Sequence, residues 1–160
     1  MATAISTTEL NHFECPTCNQ NEQMALTAFQ EKGITDKYAL ATLLGNIRQE
    51  SSFVANICEG GARVPYSQCY VGGYGLIQWT TISRYNGLGR HANAIGKDPS
   101  SIEAQLSYLF TEIEWKRAEP GFKTPGKTIN QYMDSAFTWL GWGHYGARGY
   151  FANQYLAKLR

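Results

Sequence analysis

The 160-residue sequence predicts an α+β domain dominated by helix, with five to seven helices around one small, glycine-rich β element. Apolar residues recur at helical spacing through "LATLLGNI" and again through "IEAQLSYLFTEI". Five glycines and several β-formers crowd residues 54–75. Hydrophobic residues make up 43% of the chain and charged residues only 17%, which supplies a core and excludes a disordered chain.

Residues 1–19 show no periodicity and are expected to form an arm or cap, leaving 20–160 as one domain. "NEQMALTAFQEKG" reads as a helix with Met24, Ala25, Ala28 and Phe29 on its stripe and Gly33 as its stop. "TDKYALATLLGNIRQES" starts afresh, with Thr35 as candidate N-cap and Asp36 at the positive end of the dipole. Leu40, Leu43, Leu44 and Ile47 form its stripe. Residues 54–75 read as an irregular loop with a small β-hairpin built from Val64, Tyr66, Tyr70 and Val71. "LIQWTTISRYNGLGRH" begins a helix near Thr80 or Thr81. "DPSSIEAQLSYLFTEIEWKR" reads as one helix, with Pro99 in its first turn and Ile102, Leu106, Leu109, Phe110 and Ile113 facing the core. "AEPGFKTPGK" reads as a Pro/Gly loop. "TINQYMDSAFTWLGW" and "ARGYFANQYLAKL" are two further helices, with Trp115, Phe137 and Trp139 assigned to the core.

Several function classes fall away on composition. The formal net charge is +1 and no Lys/Arg cluster occurs, so nucleic acid is not an expected partner. No apolar run approaches the ~18–20 residues that span a bilayer, so no membrane insertion is expected. "MATAISTTELNHFE" lacks the basic and apolar regions of a cleavable signal peptide. His12, Cys15 and Cys18 have the spacing of a partial metal site that lacks a fourth ligand. No metal or cofactor is therefore expected. Cys58 and Cys69 suit a disulfide closing a short loop, with four free thiols as the alternative.

One residue breaks the helical pattern. Seven steps of about 100° place Glu50 within about 20° of Leu43, on the apolar stripe and in the last turn before the glycine-rich loop. The alternative is a glutamate past the helix end that points into water. A carboxyl against apolar side chains can hold a proton for transfer to a leaving group. "GGYGLIQWT" follows, and its Gln and Trp between glycines offer an amide and an aromatic face of the kind a sugar ring binds.

"ESSF" followed by "GYGLIQW" resembles the paired signature of the lysozyme superfamily, especially goose-type lysozymes and lytic transglycosylases. The run from Gln20 to Trp115 is similar to bacteriophage tail-associated lysozymes in "LLGNIRQESSF", "NICEGG", "GGYGLIQWT", "RY" and "QLSYL". The resemblance implies a lysozyme-like helical domain with a small β-hairpin lobe and a cleft between. Glu50 matches the catalytic acid and Ser51 the residue that follows it. Tyr74, Gly75 and Gln78 match the turn that lines the sugar cleft. Trp79, Thr80, Thr81 and Tyr145 complete the expected substrate-binding set. Glu59, nine residues after Glu50, stands where small phage endolysins place a second acidic residue, although Pro65 replaces their threonine. A solvated loop glutamate is the alternative for Glu59.

The implied activity is a muramidase acting on peptidoglycan glycan strands, carried on a virion tail and acting in the host periplasm or cell wall. Tail or baseplate proteins are implied partners. Trp79 after Gln78, and the loose match of "YFANQYLAKL" to the third transglycosylase motif, depart from the transglycosylase pattern. A lytic transglycosylase using Glu50 alone and a non-catalytic glycan-binding tail module stay open.

Overall fold

The computed structural model describes residues 12–70 and 72–160. Seven α-helices occur among them: α1 (Gln20–Glu31), α2 (Lys37–Ser51), α3 (Ile82–Ala94), α4 (Ile102–Leu109), α5 (Ile113–Lys123), α6 (Ile129–Leu140) and α7 (Arg148–Lys158). The fold is mostly helical, as predicted. No described helix is long and apolar enough to cross a membrane. The chain divides into two compact units, 12–46 with Arg117–Arg160, and Ile47–Lys116.

In the first unit each helix end has a local cause. Asn19 caps α1 in a capping box with Glu22, and Gly33 turns the chain at φ 93°. Asp36, rather than Thr35, caps α2: its Oδ1 accepts from the amides of Tyr38 and Ala39. Thr128 and Gln131 form a second capping box on α6, which ends at left-handed Gly141. Phe29, Phe122, Tyr132 and Trp139 build the aromatic core. Phe137 does not join it; it is exposed and lies edge-on to Trp142. Arg148 is buried, donates to Asn46 Oδ1 at 3.1 Å and lies 4.4 Å over the Trp142 ring. Cys15 and Cys18 are joined as a disulfide, so their sulfurs do not form the partial metal site. Among the described residues no cluster of His, Cys, Asp and Glu suits a metal ion.

The second unit departs from the expected β-hairpin. Among its described residues the irregular loop makes only isolated antiparallel bridges, Ile57 to Arg63, Cys58 to Tyr74 and Tyr74 to Trp79. Residues Tyr66–Gln68 form a 3-10 turn, and Val71 lies outside the described residues. Positive φ at Gly60, Gly61, Gly72 and Gly75 bends the backbone too often for a continuous ladder. A Cys58–Cys69 disulfide closes the loop instead. Tyr66 and Tyr85 stack at 4.2 Å, and each hydroxyl donates to the other's carbonyl, which holds the 3-10 turn against α3.

The helix expected across residues 99–117 is two helices. Ser101 caps α4, and the chain breaks at residues 110–112, where Thr111 Oγ1 donates to Tyr108 O at 2.7 Å. The expected loop "AEPGFKTPGK" is helical as far as Lys123, with Pro120 inside α5. Gly121 follows it because a Cβ there would lie 2.0 Å from Ser135 Oγ.

Candidate functional site

Glu50 occupies the last turn of α2, half-buried, beyond the fully buried Leu43 and Ile47. Ser51 behind it is buried and donates to Ile47 O at 3.3 Å, which closes the helix end. Ser52 and Phe53 then adopt φ of 50° and 63°. Among the described residues only one other non-glycine has positive φ: Gln78, at 55°. Left-handed backbone costs about 1–2 kcal/mol in a residue with a side chain and persists where surrounding contacts over-determine it. All three instances flank the residues that sequence reasoning singles out.

The two segments are bonded to one another. Gly75 N donates to Ile57 O at 2.9 Å, and Gln78 Nε2 donates to Gly75 O at 2.9 Å and reaches Ile57 O at 3.4 Å. The turn is closed by paired backbone bonds between Tyr74 and Trp79. The exit loop of the Glu50 helix and the Gln78 turn therefore form one hydrogen-bonded assembly.

The remaining predicted residues divide by exposure. Gln78 is half-buried, and Thr80 and Thr81 are exposed. Thr80 Oγ1 donates to Gln78 O at 2.8 Å, and Thr81 caps α3 by accepting from Arg84 N. Tyr74 and Trp79 are completely buried, so neither presents a ring face to solvent. The Tyr74 hydroxyl donates within reach of Val64 O and Ser100 Oγ, both at 2.8 Å. Burial pushes its phenol above the ordinary value, so it remains a neutral donor. Glu59 is exposed, and its Oε2 accepts from Gly73 N at 3.0 Å while its own amide donates to Gly73 O at 2.8 Å. Its carboxylate thus caps the backbone leading into the turn. Tyr145 belongs to the first unit, exposed and edge-on to Trp142 at 5.9 Å.

Three residues outside the predicted site set support this assembly. Gln105 is fully buried and accepts from Leu76 N at 2.9 Å. Glu112 is buried and accepts from Trp79 Nε1 at 2.7 Å. Arg84 grips the same carboxylate through Nε and Nη2, both at 2.8 Å. Burial opposes the Arg84 charge, but the Glu112 contacts outweigh it and raise the guanidinium above its usual value. Two signals were available, "QLSYL", which contains Gln105, and "RY", which contains Arg84.

The sequence matches the model of the phage tail lysozyme family over residues 20–159. No curated protein and no solved structure matches the chain.

Proposed function

The chain belongs to the phage tail lysozyme family, a peptidoglycan-degrading class, and from that premise we propose that it is a muramidase with Glu50 as its general acid. The bond cleaved is the β-1,4 link between N-acetylmuramic acid and N-acetylglucosamine. Glu50 gives its proton to the leaving oxygen as that bond breaks. Gln78 and Thr80 hold the sugar, and Glu59 positions and deprotonates the attacking water. The enzyme rides on the virion tail, held by tail or baseplate proteins, and opens the wall locally.

The single observation behind this reading is the left-handed exit Ser52–Phe53 two residues after Glu50, in a loop whose Ile57 carbonyl is bonded to the turn that carries left-handed Gln78. Strain of that kind concentrates where side-chain placement matters for function. The Glu59 geometry favours a second reading. Glu59 Oε2 is engaged with Gly73 N–H, and where that contact holds the carboxylate away from the attacking water, the 6-hydroxyl of the muramyl sugar can attack instead. That route makes the chain a lytic transglycosylase.

A time course of muropeptide release from purified peptidoglycan by wild type and Glu50→Gln tests both. The expected result is at least a ~10²-fold loss in the variant, the scale of a removed general acid, with the fold retained. Near-full activity in Glu50→Gln removes the proposed site. Products lighter by one water select the transglycosylase.

A further inference from the structure

We propose that Gln105 and Glu112 are positioning residues that grip the 75–79 turn at its two ends and so hold Gln78 in place. This rests on the reading of Gln78 as a sugar-binding residue.

The carboxamide of Gln105 is fully buried and makes a three-way junction. Its Oε1 accepts from Leu76 N at 2.9 Å, and its Nε2 donates to Ala55 O at 2.7 Å and Pro99 O at 3.0 Å. Ala55 lies five residues beyond Glu50. One side chain therefore ties the helix-exit loop to the start of the turn. It also lies flat on Gly75, where an added Cβ would meet Oε1 at 2.7 Å and the backbone has φ 82°. At the far end, Glu112 Oε1 accepts from the Trp79 indole at 2.7 Å, and Arg84 supplies the counter-charge. Leu76, Ile77 and Gln78 span the interval between the two anchors.

An apolar side chain could fill either space without the cost of burying an amide or a carboxylate. The polar groups instead point at the turn or at the loop it contacts. Two fixed ends of a short turn over-determine what lies between, which is the condition for a left-handed glutamine to persist.

The experiment is a double-mutant cycle on the full chain. Gln105→Met keeps the volume and removes all three hydrogen bonds, and Trp79→Phe removes the indole donor together with part of the buried ring. Each is made alone and in a Gln78→Gly background, where the side chain is gone and the left-handed backbone is free. Expected is a fall in kcat/KM of about tenfold or more for each single variant. In the Gln78→Gly background neither change should lower activity by more than about twofold. A purely structural role would give multiplicative losses in both backgrounds, and that result overturns the proposal. So does unchanged activity in both single variants.

A second measurement needs no catalysis. Hydrogen exchange of Gln105→Met should show lost protection at Leu76 and Gln78, with α2 and α6 as slow as in wild type. Unchanged exchange in the turn overturns the grip itself. An inactive wild type with the exchange result intact overturns the muramidase reading and leaves the grip standing.

Discussion

Removing the Cys58–Cys69 bridge tests how the irregular loop beside Glu59 is held. The bridge closes a loop with a sequence separation of 11. The chain-entropy relation then gives about 2.8 kcal/mol of stabilisation. Unfolding entropy near 2.1 cal/mol/K per residue gives about 0.34 kcal/mol/K for 160 residues. The double variant Cys58→Ser/Cys69→Ser should therefore melt about 8 °C lower. That figure is a floor, because a unit melting by itself has less entropy and shifts further. Without the bridge, the loop keeps the bonds Cys58 N to Ala62 O at 2.8 Å and Glu59 N to Gly73 O at 2.8 Å. Calorimetry of the variant with Cys15–Cys18 intact measures the shift, and thiol titration of unfolded, unreduced wild type counts the bridges. A melting point within about 3 °C of wild type, or four titratable thiols, refutes the reasoning.

Gly72→Ala should displace the Glu59 carboxylate, since its Cβ would lie 1.2 Å from Oε2 and its φ of 66° resists a side chain. If Glu59 serves catalysis, the loss of muropeptide release should match that of Glu59→Gln, whereas unequal losses separate the two roles. Gly45→Ala should destabilise by about 1–3 kcal/mol through overpacking, reversing the ~1 kcal/mol gain usual in a helix. Its Cβ would meet Ala152 N at 2.5 Å, and urea unfolding reads the sign. Burial raises the phenols of Tyr66, Tyr74, Tyr85 and Tyr132, and pushes Tyr108 up to about 12. The folded state thus keeps protons that the unfolded state loses near 10. Stability should be full below that pH and fall as pH rises toward 12. Melting points flat across pH 9–11.5 would contradict the shifts.

The parts of the fold legible in the sequence are those set by local rules. The stripe Leu40, Leu43, Leu44, Ile47 predicts α2, and Thr81 and Gly33 predict a start and a stop, because each acts within one helical turn. The failures share another cause. The helix through Pro120 is held by its neighbours, so a local breaker is overridden: Gly121 sits where Ser135 leaves no room for a Cβ. The β-formers around residues 64–70 make a turn rather than a hairpin. There the disulfide, the stacked tyrosines and the positive-φ glycines outweigh strand propensity.

The candidate site divides in the same way. Glu50 was visible as a candidate because helical geometry puts it on the apolar stripe and "ESSF" with "GYGLIQW" resembles a family signature. Gln105 and Glu112 were not, because their partners lie 29 and 33 residues away in sequence. On the single helix expected across these residues, Gln105 and Glu112 both read as ordinary polar face positions. Gln105 is buried against Leu76, Ala55 and Pro99, and Glu112 follows the end of α4 at Leu109, where the turn directs it to the Trp79 indole. Trp79 shows how a place in a motif and a side chain's surroundings can diverge. Its place beside Gln78 suggests a sugar platform, yet its complete burial and its bond to Glu112 make it an anchor of the turn. A residue's place in a motif is thus readable from the sequence, whereas the direction its side chain faces depends on long-range partners that no local pattern encodes.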